Sequence, residues 1–436
     1  MPKFTIPAII ANLITALYNI VDQIFIGNSV GLLGNAATNI AFPIAVVCTA
    51  VSIMAGVGSA TGFNLATGRG ELETAGRIVG NAIVLMLAVG IVVAAALLVF
   101  LTPAIYAFGA TETVFPYART YMFITAWSIP SAIFGTGGSI IIRSDGSPNY
   151  ALYSVLSGAV INVALDAYFI FGLDMGIAGA ALATVIGQSF TAILVGAYFF
   201  RFKTIRMRGG FFRWNPGLAK RICALGMGPF ANNMSMFLVQ IVLNNALNRY
   251  GALSIYGSDI PLACVGVISK LNAIVGAIIA GIAQGVQPII SYNYGAKNYR
   301  RVIDSSKIAI IIMLVISCAV FLCCQLFPRQ LVSVFGSGGE LYYRFSERYL
   351  RVFMFLICVN GIQVVGGNIF TAMGKARLSV FISLTRQVLF LPPLILVLPM
   401  FFGLDGILYA GPIADGTCVA VAFLLLFREY KVLARA

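Results

Sequence analysis

The sequence predicts an all-α polytopic membrane protein with twelve transmembrane helices in two pseudo-symmetric six-helix lobes around a central cleft. Three observations carry that prediction. The 436 residues are 60% hydrophobic and only 10% charged, too little polar surface to cover a soluble globule of this size. Hydropathy gives roughly twelve apolar segments. The two halves of the chain also repeat one another weakly.

The apolar segments fall near residues 4–27, 40–66, 78–103, 117–142, 149–172, 176–200, 222–249, 260–293, 306–328, 347–372, 378–402 and 406–428. Each is long enough to cross the ~30 Å hydrocarbon core. Apolar sequence starts directly after Met1-Pro2-Lys3 with no cleavable signal pattern, so the first span is expected to serve as an uncleaved anchor. The lead-in is short, and a few native residues are expected to be missing before it.

A net charge of +14 invites a nucleic-acid reading, but the distribution of the charge argues against one. With the amino terminus on the cytoplasmic side, about 20 of the 28 basic residues fall in cytoplasmic segments and about 6 outside, with Lys270 and Arg386 in spans. The basicity is therefore topology. It places both termini in the cytoplasm of a multi-pass plasma-membrane protein and leaves no role for nucleic acid.

Arg201 to Arg221, RFKTIRMRGGFFRWNPGLAKR, is the one long polar linker. It divides the chain into an amino-terminal lobe (1–200), a basic cytoplasmic linker (201–221) and a carboxy-terminal lobe (222–436). The stretch from Gly56 to Arg77 is echoed by Gly281 to Val302, and FGLDMGIAGAALA (Phe171 to Ala183) by FGLDGILYAGPIA (Phe402 to Ala414). Repeated six-span halves imply two lobes related by an axis along the membrane normal, with a solute pathway between them. Gly and Pro within the spans, Pro43, Pro130, Pro229, Pro288, Pro392 and Pro393 among them, fit helices that bend or pack closely.

The chain has no His, which removes imidazole bases, Ser-His-Asp triads and His-ligated metals. Its eight Cys lie in apolar runs without C-x-x-C spacing. They read as small hydrophobes, with a redox or thiolate–metal role as the lesser alternative. GTGGS (Gly135 to Ser139) lacks the Lys-Ser/Thr of a phosphate loop and reads as a helix-packing surface. No enzyme and no organic cofactor is expected.

The polar residues inside spans carry the functional signal. Asp22 sits in the first span, in NIVDQIFIG, where a carboxylate costs roughly 2.5–3.5 kcal/mol. Tyr18 and Asn19 lie four and three residues before it, on its side of the helix. In the fifth span Asn162 and Asp166 are four apart and share a face; the sixth adds Thr184 and Gln188. Two buried carboxylates cannot both stay charged cheaply, so such a pair is expected to hold a proton or bind a cation. Hard oxygen ligands suit Na⁺ or H⁺, and nothing favours a transition metal. A structural hydrogen-bonded pair is the plainer alternative, but function is the default for an intramembrane Asp. Arg386 and Asp415 read equally as a structural salt bridge or a second polar site, and Lys270 as a lone cation that snorkels or meets a helix carbonyl. The Phe, Tyr and Met content can line a cavity for flat, greasy cations.

In these residues the chain resembles the multidrug and toxic compound extrusion (MATE) family. The resemblance rests on TALYNIVDQIFIG (Thr15 to Gly27), RSDGSPNYA after the fourth span, NVALDAYFIFGLDMGIAGAALATVIGQ across the fifth and sixth, and QGVQPIISYNYGAKNYRRV after the eighth. It covers essentially the whole chain, and within the family the chain looks like the MepA-like branch, close to the DinF-like one. The resemblance implies a twelve-helix antiporter that alternates between outward-open and inward-open states. Such a protein exports drugs and organic cations, mostly lipophilic, in exchange for H⁺ or Na⁺, in contact with membrane lipids and with no obligate protein partner. It also implies a cation-coupling site at Asp22, Asn162, Asp166 and Thr184, and a bending role for Pro7. One departure stands out: where other branches carry an acid in the seventh helix, Asn232 to Leu247 holds amides, chiefly Gln240, Asn244 and Asn245. A carboxylate-based cation site in the second lobe is therefore not expected. Tyr18, Asn19, Gln188, Gln240, Asn244, Lys270, Arg386 and Asp415 remain candidates for a substrate cavity or second polar site.

Entry of H⁺ or Na⁺ at the Asp22–Asp166 pair is expected to change its charge, reshape the first helix and release drug outward. One charge falling through 100 mV supplies about 2.3 kcal/mol. The rival in the same architecture is a lipid-linked oligosaccharide flippase, which would want a cationic cavity for pyrophosphate. A membrane enzyme and a passive channel fit less well.

Overall fold

The computed structural model describes residues 1–257, 259–333 and 339–435. Among these the chain is helical, with short joints apart from the connection at 200–215, because backbone crossing lipid must satisfy its own N–H and C=O groups. The first half comprises α1 (Pro2–Ser29), α2 (Leu32–Gly68), α3 (Leu72–Val99), α4 (Leu101–Ala107), α5 (Phe115–Ala126), α6 (Ile129–Ser144), α7 (Pro148–Ala167) and α8 (Gly176–Phe199). The second half comprises α9 (Pro216–Ala252), α10 (Asp259–Gly295), α11 (Tyr299–Leu326), α12 (Pro328–Ser333), α13 (Glu340–Val352), α14 (Ile357–Ala372), α15 (Ala376–Leu384), α16 (Leu391–Phe402) and α17 (Leu404–Arg435). A π-helical turn, Tyr168–Gly172, extends α7, and another, Thr385–Phe390, joins α15 to α16.

Ten helices among the described residues are long and apolar enough to cross a membrane, and α13 with α14, bent 54° at their joint, makes an eleventh. The span expected at 117–142 is not one helix: α5 stops at Ala126 and α6 starts at Ile129. The cause is local, because Pro130 has no N–H to offer the carbonyl of Ala126. The fourth span of each half is thus broken at a corresponding place.

That correspondence holds throughout. α10 repeats the length of α2, the short α12 follows α11 as α4 follows α3, and α17 answers α8. Gly70, at φ 82°, turns the chain between α2 and α3; Lys297, 227 positions on, takes φ 59° between α10 and α11. A left-handed lysine is uncommon, and the shared turn geometry of the two halves is what asks for it.

Packing in lipid depends on close van der Waals approach, which small residues permit. Gly137 packs its α-carbon against Met86 and Ser52, and Gly138 against Val195, so GTGGS is a packing surface. Buried side chains form two main clusters: one from Ala37 to Ile222 and one from Val239 to Leu433.

The halves meet mainly at one end of the bundle, where α1 and α9 start and α2 and α10 stop. A Cβ on Gly285 would stand 2.5 Å from Thr5 Cα, and one on Gly281 2.5 Å from Ile9 Cα. Gly58 packs on the Ile222 carbonyl, Gly226 on that of Met54, and Gly295 on that of Leu65. Gln287 donates to Val57 O at 3.1 Å and to Thr61 Oγ1 at 2.9 Å. Lys270, three helical turns from Gly281 on the same face of α10, is exposed. The halves are therefore locked together at this end, and the α10 face opens beyond it. Along α2 and α9 the contact continues to Phe42 and Phe237, whose rings are 6.4 Å apart.

Candidate functional site

The site is built on four helices of the first half. α7 and α8 form a tight hairpin: Tyr150 OH donates to Leu194 O at 2.9 Å, and Thr191 Oγ1 lies 3.1 Å from Gly187 O and 3.3 Å from Ser154 O. At its centre the backbones nearly touch, since a Cβ on Gly187 would lie 2.8 Å from Gly158 O and 2.9 Å from Asn162 Cβ. That contact fixes Asn162. One turn on, Asp166 follows on the same face, just before the π-helical turn re-aims the chain.

Asp166 is 0% exposed and Asn162 4%. Asp22, from α1, brings its carboxyl group against that of Asp166. Tyr18 and Tyr121 stand beside both carboxyls, and Tyr121 adjoins Thr184. Beyond the cluster, Ile26, Ile170 and Ala180 pack with Phe25 and Tyr121 into an apolar plug.

Both oxygens of Asp166, both amide atoms of Asn162 and Oδ1 of Asp22 are buried without a hydrogen-bond partner. A buried polar atom left so costs about 1–3 kcal/mol. Two ionised carboxylates offer only acceptors to each other. A proton held between them supplies a donor; a hard cation supplies the charge, with the Asn162 carbonyl and the Thr184 hydroxyl as further oxygens. The donor set fits either.

A cavity of about 200 Å³ extends from this cluster through the first half. Tyr18, Asn162 and Thr184 line its cluster end, and Arg143 and Gln284 its other end. Its lining on α6 runs from Ser131 to Arg143, a rise of about 18 Å.

The sequence candidates sort as follows. Asp22, Asn162, Asp166, Thr184 and Tyr18 come together, and Gln188 lines the adjoining cavity. Asn19 does not join them: its side chain is exposed and donates to Thr15 O at 2.9 Å on its own helix. Gln240 and Asn244 bond to each other at 3.0 Å on the exposed side of α9. Lys270 is exposed and makes no ion pair among the described residues. Arg386, partly buried, and Asp415, buried, form a salt bridge, Nε to Oδ1 2.5 Å, which uses both charges. Pro7 is buried in α1, which runs unbroken from Pro2 to Ser29. Tyr121 was missed, because one Tyr among 18 in an aromatic-rich chain carries no spacing signal.

A two-lobed bundle with a buried carboxylate cluster beside an internal cavity defines a membrane transporter, and the comparisons narrow the class. The model of the MatE family matches residues 7–168 and 232–396, and the chain belongs to that family of transporters, not to an enzyme family. The Multidrug export protein MepA of Staphylococcus haemolyticus (strain JCSC1435) is 26% identical over 433 residues, 99% of this chain and 93% of the relative. That of Staphylococcus aureus (strain MSSA476) is 24% identical over 428 residues, 98% of this chain and 93% of the relative. The MATE multidrug transporter DinF-BH, solved in complex with a ligand, is 33% identical, with a TM-score of 0.90, covering 99% of this chain and 95% of that one. A multidrug resistance MATE family transporter of the MOP superfamily, in an outward-facing conformation, matches in fold with a TM-score of 0.92 at 21% identity, covering 100% and 96%.

Proposed function

We propose that the protein is a multidrug efflux antiporter of the plasma membrane, exporting lipophilic organic cations in exchange for H⁺ or Na⁺ at Asp22, Asn162, Asp166 and Thr184. The observation that carries the reading is the set of orphaned oxygens on Asp166 and Asp22 inside the first half. A structural cluster would have satisfied them; a site that exchanges a cation on each cycle has reason to leave them free. The names of the relatives, multidrug export proteins and a multidrug transporter with its ligand, support the substrate class. The excess of basic residues in alternate connecting segments supports cytoplasmic termini. On that orientation the end closed by Gly281, Gly285 and Gln287 is the cytoplasmic one. Cation entry from outside would neutralise the carboxylate pair, and parting of the closed end would let the cation leave inward. The domain division at the 201–221 linker follows the same reading.

The test is ethidium efflux from energised cells or inverted vesicles, with a pH or a Na⁺ gradient imposed separately. Efflux driven by one gradient and lost in Asp22→Asn bears out the reading and names the ion. Full pumping by well-expressed Asp22→Asn sinks it. No gradient-driven efflux from the wild type moves the reading to the lipid flippase.

A further inference from the structure

Arg143 lines the end of the cavity away from the carboxylates, and the transport scheme above leaves it without a role. It stands in the last turn of α6 and is only 6% exposed. Among the described residues it is the one charged side chain in the cavity lining, and it makes no ion pair. The neighbouring acid is occupied elsewhere: Asp145 accepts from Tyr198 OH at 2.8 Å, Lys203 N at 2.7 Å and Thr204 N at 2.9 Å. The hydrogen bond Arg143 does make crosses between the halves, from its Nη1 to Gln284 Oε1 of α10 at 2.8 Å. Gln284 precedes Gly285 and Gln287, which belong to the contact that locks the halves together.

A buried guanidinium without a counter-charge is costly and is not retained for packing alone. Three features give this one a use. The rest of the lining is neutral, with the hydroxyls and amides of Asn12, Thr15, Thr136, Ser139, Gln188 and Thr191 spaced along an otherwise mostly apolar wall. Such a wall solvates a small cation and repels none. Tyr18, Asn162 and Thr184, which adjoin the carboxylate pair, line one end of this wall and the guanidinium the other. A fixed positive charge at a constriction raises the barrier to any cation passing it. Finally, the group that holds Arg143 in place lies on the other half, so parting of the halves at this end releases it.

We propose that the cavity is the inner half of the cation path and that Arg143, tethered by Gln284, is its gate. The proposal rests on the reading of Asp22 and Asp166 as the coupling site. While the halves touch, the guanidinium blocks the route from the carboxylates to the cytoplasmic end, so that a bound cation cannot leak inward without a transport cycle. When the halves part, the tether breaks, the side chain swings out of the mouth and the cation leaves. Arg143 touches no drug in this scheme; it separates coupled exchange from leak.

The test uses purified full-length protein in liposomes containing a pH-sensitive dye, or receiving radioactive sodium, with an inward gradient and no drug. Arg143→Gln, which takes the charge away, is expected to admit the coupling cation about tenfold faster than wild type, since a unit charge near the path shifts the barrier by about 1–2 kcal/mol at an effective dielectric of about 20. Gln284→Ala, which removes the hydrogen bond that holds the charge in the mouth, is expected to leak in the same direction as the side chain swings free. Arg143→Lys, which keeps the charge, is expected to stay as tight as wild type. Drug-free entry at the wild-type rate in Arg143→Gln overturns the gate. Should that variant not fold, Gln284→Ala decides in the same way. Adding Asp22→Asn to Arg143→Gln separates the two readings. Loss of the leak places the carboxylates on the path, whereas a leak that survives leaves the gate standing and overturns the coupling site.

Discussion

Arg386 and Asp415 form in the second half a contact that glycines form in the first. Each is 228 positions from its counterpart, Gly158 and Gly187, at the same distance from the start of its helix. Where the first half brings α7 and α8 together through bare backbone, the second ties the π-helical turn after α15 to α17 with a 2.5 Å ion pair, its carboxylate 4% exposed. The pair spaces helices, and among the described residues the second half has no free carboxylate at this level. Removing one partner leaves the other buried and alone, which costs about 3–5 kcal/mol, whereas removing both costs far less. In detergent, Arg386→Met is therefore expected to lower the melting temperature sharply, and Arg386→Met with Asp415→Leu to recover most of the loss. Additive losses in the double variant would show that the two charges do not act as a pair.

For the carboxylate cluster, stability and transport are expected to separate. Asp166 has no protein donor on either oxygen, so Asp166→Asn removes an uncompensated charge and should hold or raise the melting temperature. Gradient-driven efflux should nevertheless vanish, as in Asp22→Asn. Tyr121→Phe, which removes the hydroxyl beside Thr184, is expected to weaken efflux only about fivefold, the value of one hydrogen bond near 1 kcal/mol. Thermal shift and efflux on the same preparations check all three. A large loss of stability in Asp166→Asn would return the cluster to a structural role.

The spans, the repeat and the cluster were legible because each leaves a periodic trace. Apolar length marks a span, and the spacing from Asn162 to Asp166 marks a shared face. Legibility ended where a side chain chooses among partners. Asn19 and Tyr18 both flank Asp22, yet one bonds back to its own helix and the other joins the carboxyls; spacing cannot separate them. The break at Trp127 was hidden because both pieces are apolar, with Pro130 its one sign. Arg143, which opens RSDGSPNYA, and Gln287, within QGVQPIISYNYGAKNYRRV, carry no spacing that gives their partners away, since these lie more than a hundred residues off.

The connection between the halves should be fastened by one side chain at each end. Asp145, 4% exposed, takes hydrogen bonds from Tyr198, Lys203 and Thr204. Asn81 holds the far part, accepting from Asn215 N at 2.7 Å and donating to Arg213 O at 3.1 Å. Asp145→Ala orphans three donors next to Lys203 and Arg206. Limited trypsin digestion is expected to cut there at least several-fold faster than in wild type, with Asn81→Ala giving the same effect nearer Arg213. Unchanged cleavage in both would mean that packing of Phe211 on Gly76 and Gly80 suffices.

The contact that closes one end of the bundle should also be weak enough to open. It is built from backbone meeting backbone at glycines, with a few polar ties. Thr5 Oγ1, Ser291 Oγ and Gln287 Oε1 are buried in this region without partners. Opening returns them to water, which offsets part of the packing lost. Gln287→Leu removes the bonds to Val57 O and Thr61 Oγ1. It should favour the opened arrangement by about 1–2 kcal/mol, roughly tenfold in population. Gly285→Leu acts more strongly, because its side chain would collide with the α1 backbone at Thr5 rather than with a movable side chain. Spin labels at Arg69 and Lys297, in the α2–α3 and α10–α11 turns, report the change. Their distance should shift to a longer population in Gln287→Leu and almost completely in Gly285→Leu, with wild type staying short. A distribution identical to wild type in Gly285→Leu is incompatible with this contact being the closed gate.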